Sequence, residues 1–186
     1  SHAFDHFDEM QNKNVEPNDV IFSSILKACG DLGAGTEGML IHNQVIQCGC
    51  DVNVMVANTM VYMYGKLGSL DEAWRVFDSM DIRDVVSWAA VIGGYAQHGY
   101  GSQVLDVYAR MQEQEIEVNR VIFLHVLKAC GIVGALENSK LIHCQILESN
   151  VSSDDVLANT LIDIYSKCGG IEEAQGVFNK MSKKTA

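Results

Sequence analysis

The chain repeats itself 101 residues on: Phe22-x-x-x-Leu26-Lys27-Ala28-Cys29-Gly30 returns as Phe123-x-x-x-Leu127-Lys128-Ala129-Cys130-Gly131, and Ala57-Asn58-Thr59 returns as Ala158-Asn159-Thr160. A period that long exceeds one supersecondary unit, so it subdivides. Its boundary residues give units 19–53, 54–84 and 85–119, and the cycle restarts as 120–154 and 155–185 with the same lengths. Residues 1–18 match the second half of a preceding unit. An array of this kind buries apolar surface between neighbouring units rather than in one globular core. Both ends cut through the pattern, so the chain is expected to be a piece of a longer protein, with apolar ends that favour end-to-end self-association.

Each unit holds two short apolar-periodic segments separated by glycine. In unit 54–84 these are Met60, Val61 and Tyr64, then Ala73, Val76, Phe77 and Met80, with the spacing of one buried helical stripe. No segment sustains the alternation of a strand. Every unit therefore reads as helix, turn, helix. Between the two, Ser69 and Glu72 have the spacing of a capping box that starts the second helix. One proline, Pro17, and no Ser/Gly-rich linker predict a continuous array without internal boundary.

The apolar runs all fall short of the ~18–20 residues that span a bilayer, so no membrane partner is expected. The six cysteines show neither metal-ligand spacing nor a secreted disulfide framework, and are expected to be reduced, buried thiols. His42 and His143 share one repeat position, Leu-Ile-His, and read as packed or half-exposed helix residues rather than ligands. No cofactor or metal site is expected. The net charge of −11 argues against nucleic acid only if the acids lie where phosphates would.

Val85-Val86-Ser87-Trp88 with Tyr95 and Gly99, Leu-Lys-Ala-Cys-Gly with Leu-Ile-His, and Asn58-Thr59 through Tyr64-Gly65-Lys66-x-Gly68 to Val76-Phe77-Asp78-x-Met80 resemble the pentatricopeptide repeats of land plants. The lengths resemble the P-L-S subclass: L at 19–53 and 120–154, S at 54–84 and 155–185, P at 85–119, and a partial P repeat at 1–18. The resemblance implies an all-α, right-handed α-solenoid of tandem helix-turn-helix units. Tetratricopeptide repeats are the nearest rival, but their Trp-Leu-Gly-Tyr pattern and unit-ending proline do not occur here.

By the same resemblance, the first helices line a groove for single-stranded RNA, one base per unit. The first-helix segments near 20–30, 54–66, 86–98, 121–131 and 156–167 contain one acid, Asp163, beside Lys27, Lys66, Lys128 and Lys167. The other carboxylates fall mostly on second helices and turns. Lys66 and Lys167 hold a position where family members resemble phosphate binders. The fifth and last residues of a unit face one base, and the second packs against the base planes. This gives Asn58 with Asp84 and Met55, a combination similar to uracil readers, since Asp accepts from a ring N–H that uracil has and cytosine lacks. Asn159 with Thr185 and Val156 suggests a pyrimidine, and Ala89 with Asn119 and Val86 a preference set by Asn119 towards adenine. Ser23 with Asn53 and Leu124 with Asp154, in the L units, are assigned a spacing role. Asn and Asp at these unit ends are equally apt as N-caps of the following helix.

Relatives of the P-L-S kind resemble organelle RNA editing factors that carry a zinc deaminase signature of His-x-Glu and Cys-x-x-Cys. Neither element is present in this sequence, nor is a P-loop or a dinucleotide fingerprint, so the chain is expected to be non-enzymatic. The resemblance implies recognition of a cytidine for conversion to uridine in a mitochondrion or chloroplast, with editing accessory proteins as further partners. A protein-binding solenoid that holds a peptide or helix in the same groove is the alternative.

Overall fold

A computed structural model describes residues 7, 9, 10, 13, 15–149, 151 and 155–182. Most of the expected partial repeat at 1–18 lies outside the described residues. Ten α-helices, and no strand, occur among them. In chain order they are α1 (Asp19–Leu32), α2 (Gly35–Cys48), α3 (Val54–Leu67), α4 (Leu70–Ser79), α5 (Val85–Gln97), α6 (Gly101–Glu113), α7 (Arg120–Val133), α8 (Leu136–Glu148), α9 (Asp155–Lys167) and α10 (Ile171–Ser182). A short 3-10 turn, Cys50–Val52, joins α2 to α3.

The helix ends follow from local chemistry. Asn18, Asn53 and Asn119 each hold an extended backbone, and each side chain accepts from an N–H of the first helical turn: Ile21, Met55 with Val56, and Ile122. These bonds satisfy donors that a helix start leaves free. At the other end, Gly68 turns left-handed (φ 75°), its N–H meets Gly65 O, and Ser69 N meets Tyr64 O at 3.0 Å. This Schellman closure needs a residue that tolerates positive φ.

The expected capping box does not form. Ser69 precedes α4 with ψ 64° and makes no side-chain cap bond, and Glu72 pairs with Arg75 at 2.7 Å. The backbone of Ser69 is already committed to the Schellman closure, away from the extended conformation an N-cap side chain requires. Ala34 and Ala135 hold the same place, with ψ 71° and 80° and no side chain able to cap.

The chain divides into two compact units, residues 1–97 and 98–186, and the division falls between α5 and α6, inside the expected unit 85–119. In the first, α1, α3 and α5 pack side by side, α2 sits against α1 and α3, and α4 against α3 and α5. Phe22, Leu26 and Cys29 of α1, Val56, Met60 and Met63 of α3, and Trp88 and Ile92 of α5 are buried between them. Removing each large apolar side chain from water contributes about 1.5–3 kcal/mol. Gly65 and Gly94 let α3 and α5 approach closely: a Cβ on Gly65 would lie 3.1 Å from the Gly94 Cα. In the second unit α7 packs against α6, α8 and α9, and α9 against α8 and α10.

Polar rungs recur with the sequence period. His42 Nδ1 on α2 lies 2.7 Å from the Tyr64 hydroxyl on α3, and His143 Nδ1 on α8 lies 2.9 Å from that of Tyr165 on α9. Burial lowers the pKa of both histidines. All six cysteines are free thiols. Burial pushes Cys29 and Cys130 up to about 11. The expectation of buried thiols fails for the rest: Cys48 and Cys144 are exposed and Cys50 and Cys168 partly so, because Cys48, Cys50 and Cys144 fall on or just after second helices and Cys168 just past the end of α9, off the shared first-helix stripe.

Candidate nucleic-acid interface

The first helices of the first unit carry one exposed apolar side chain each at their second position: Val20 on α1, Met55 on α3 and Val86 on α5. Val121 and Val156 hold the same position on α7 and α9. All five are between 46% (Met55) and 63% (Val20) exposed. A regular helix stripe would bury them, so their exposure marks a face distinct from the core stripe.

Beside Met55 the structure brings Asn58 and Asp84 together. Asn58 Nδ2 donates to Asp84 Oδ1 at 3.1 Å, and the same oxygen accepts from the Ser87 N–H at 2.8 Å and the Ser87 hydroxyl at 3.0 Å. The Asp84 N–H in turn donates to the Ser87 hydroxyl. Burial alone would raise the Asp84 carboxyl, but the Ser87 donors and the Asn58 amide outweigh it and hold its pKa below the usual carboxylate value. Asp84 is exposed, whereas Asn58 is buried behind it, and Asn58 Oδ1 has no hydrogen-bond partner among the described residues. With the amide pinned against the carboxylate, Asn58 reaches a ligand only by turning its side chain out.

The turn that delivers Asp84 is braced from behind. Arg83 stacks on the Phe77 ring at 5.2 Å and donates to the Phe77 carbonyl at 2.9 Å. Phe77 meets Trp88 edge-on at 4.8 Å between ring centres. Sequence reasoning recognised Phe77 and Trp88 as parts of motifs but not Arg83, which packs on Phe77. The signal was there: a lone arginine one residue before the unit-ending Asp.

The other expected positions differ from this pair. Asn53 is committed, capping α3 with Oδ1 and donating from Nδ2 to Asp19 at 2.7 Å. Its unit partner Ser23 is half-buried, with an unpartnered hydroxyl among the described residues. Asn119 caps α7, and Ala89 and Leu124 are half-buried. Asn159, unlike Asn58, is exposed; Thr185 and Asp154 lie outside the described residues. Lys66 is exposed and sits over the Tyr62 ring at 5.7 Å. Lys167 is paired with Asp163 at 2.6 Å, so its charge is locally compensated. The sequence count of one acid on the first helices is too low: α1 and α9 begin at Asp19 and Asp155, and α1 also contains Asp31, which accepts from the Tyr62 hydroxyl at 2.6 Å. Helix starts attract acids because the first N–H groups carry positive partial charge.

Among the described residues no group of three or more His, Cys, Asp or Glu side chains is placed to hold a metal ion, and no helix is long and apolar enough to cross a membrane.

The profile described as PPR repeat matches residues 56–85, 86–116 and 156–185, and the one described as pentatricopeptide repeat domain matches 1–32. The chain belongs to the pentatricopeptide repeat family. The three repeat matches begin one or two residues inside α3, α5 and α9. A putative pentatricopeptide repeat-containing mitochondrial protein of Arabidopsis thaliana is 35% identical over 98% of this chain and 30% of its own length. A chloroplastic pentatricopeptide repeat-containing protein of the same plant is 33% identical over 96% of this chain and 21% of its own. The chain thus spans under a third of the length of these relatives. The crystal structure of the maize pentatricopeptide repeat protein PPR10 aligns over 95% of this chain and 26% of that one, with a TM-score of 0.71 at 22% identity. PPR10 in complex with an 18-nucleotide RNA element aligns over 92% and 26%, with a TM-score of 0.74 at 19% identity. These likenesses establish the pentatricopeptide repeat fold.

Proposed function

We propose that this pentatricopeptide repeat chain binds single-stranded RNA along its first helices, one base per repeat, as the recognition part of an organellar C-to-U editing factor of the P-L-S subclass. The observation that carries the reading is the row of exposed Val20, Met55 and Val86 on adjacent helices with the Asn58–Asp84 pair set beside Met55. Apolar side chains that project between rungs can sandwich the planes of unpaired bases, while a polar pair reads an edge. The maize PPR10 structure with its RNA element supports the choice of ligand.

In unit 54–84, Asp84 is the accepting group for the ring N–H of uracil, held charged by its Ser87 donors. Asn58 orients it and supplies the second contact when its amide turns out. Asn159 is the weaker counterpart in unit 155–185. Units 19–53 and 120–154 act as spacers, in keeping with an Asn53 already bonded to Asp19. Lys66 is the phosphate contact we favour. The chain has no catalytic role in this account, and deamination of a cytidine falls to a separate zinc deaminase. Relatives named as mitochondrial or chloroplastic support an organellar setting.

The test is fluorescence anisotropy with a single-stranded RNA and with its duplex at two salt concentrations. The reading predicts binding of the single strand, at least about tenfold weaker binding of the duplex, and loss of affinity with added salt. Equal affinity for the duplex, or affinity indifferent to both RNA form and salt, would contradict it.

A further inference from the structure

At the end of α2 the chain runs Cys48-Gly49-Cys50. Cys48 is the last helical residue, Gly49 closes the helix at φ 70°, and Cys50 opens the 3-10 turn. This bend, which glycine alone adopts at little cost, folds the two side chains towards each other and leaves their sulfurs 2.7 Å apart. Both are free thiols, Cys48 exposed and Cys50 partly so. A third group adjoins them: the Asp19 carboxylate, at the start of α1, bonds the Cys50 thiol and accepts from Asn53 Nδ2.

We infer that Cys48 and Cys50 form a dithiol modification site that exchanges with a low-molecular-weight disulfide such as oxidised glutathione and closes to an intramolecular disulfide. The site has no part in the RNA reading, and its test is independent of it. In the first step the Cys48 thiolate attacks one sulfur of the oxidised glutathione. A Cys48–glutathione bond forms, the glutathione S–S bond breaks, and the departing thiolate takes up the proton Cys48 gave up. In the second step Cys50 loses its proton and attacks Cys48 Sγ. The Cys48–Cys50 bond forms and the second glutathione leaves as thiolate, then thiol. One disulfide is reduced to two thiols and two thiols are oxidised to one disulfide, so no further electron acceptor is needed.

The order of attack follows from exposure and charge. The hydrogen bond to Cys48, with burial and Asp19 behind it, pushes the Cys50 thiol up to about 12, so Cys50 is the resolving member and exposed Cys48 opens the exchange. Closure removes the S–H that Cys50 offers Asp19 and leaves that carboxylate to Asn53.

The experiment incubates the chain with graded ratios of reduced to oxidised glutathione, quenches with acid, alkylates, and reads the cysteine peptides by mass spectrometry. Cys144, exposed and without a thiol neighbour among the described residues, serves as the internal reference. At the ratio that half-modifies Cys144, the wild-type peptide holding residues 48–50 should lose the mass of two hydrogens and carry no glutathione. Cys50→Ser should retain one glutathione on Cys48, and Cys48→Ser should show no closure. Retention of glutathione on wild-type Cys48, as on Cys144, or full alkylation of both thiols at that ratio, would overturn the inference.

Discussion

The Asp84 carboxylate gathers three hydrogen bonds on one oxygen, and its four-residue motif Asp84-Val-Val-Ser87 serves as both a helix cap and a presentation device. The resemblance to pentatricopeptide repeats pointed to Asn58 and Asp84 as partners 26 residues apart, and they meet at 3.1 Å. It did not show that the amide would lie buried behind the carboxylate, because that depends on packing of α3 against α5. The His42–Tyr64 and His143–Tyr165 rungs were equally hidden: each joins two units, and a helical repeat read unit by unit gives no sign of which polar groups face across. These rungs make a pH prediction. Burial lowers His42, opposed by Glu72 and Asp51, and lowers His143, reinforced by Lys180; His125 is lowered by burial and Lys128. A histidine whose folded pKa lies below its unfolded value binds more protons when unfolded. Stability is therefore complete above about pH 6.5 and falls as the pH drops through that value towards the lower folded one. Melting followed by circular dichroism should give a constant midpoint between about pH 8 and 7 and a lower one near pH 5.5. Replacing His42 and His143 by Asn should flatten that dependence, and a midpoint that rises on acidification would refute the assignment.

At the scale of the element, helix existence and pairing were legible because apolar periodicity and glycine placement agree. Gly68 ends α3 as its position suggests, and Asn53 begins it. The failed capping box at Ser69 shows where spacing misleads: the Schellman closure had already fixed the backbone, and Ala34 and Ala135 occupy the same place without a hydroxyl. The two uses of glycine are also distinct. Gly65 is there for approach rather than for turning, since its added Cβ would meet the backbone of Gly94 at 3.1 Å. Backbone cannot rotate aside as a side chain can, so α3 and α5 must separate. Gly65→Ala should cost about 1–3 kcal/mol in urea unfolding, the range for overpacking, with hydrogen exchange accelerated in α3 and α5. An unchanged midpoint would show that the contact between these helices is slack.

Across the whole chain, a net charge of −11 coexists with first helices that are neither acid-free nor strongly basic. Asp19, Asp31 and Asp155 join Asp163 there, and Lys167 is spent on Asp163. In the proposed reading, recognition therefore depends on apolar side chains and a few polar contacts more than on bulk charge. The repeat offset made the all-α class and the helix order readable from the sequence. The division into units 1–97 and 98–186 was not, because the Gly99-Tyr100-Gly101 turn there resembles the glycine turns Gly33-Ala34-Gly35 and Gly169-Gly170 inside other repeats, and only three residues separate α5 from α6. The most direct test is a double-mutant cycle between protein and RNA: wild type and Asp84→Asn, each titrated with oligonucleotides bearing uracil or cytosine opposite unit 54–84. The account predicts a coupling of about 1–3 kcal/mol, the worth of a good polar base contact, with the uracil preference lost in Asp84→Asn. Coupling indistinguishable from zero, with both proteins ranking the two bases alike, would contradict it.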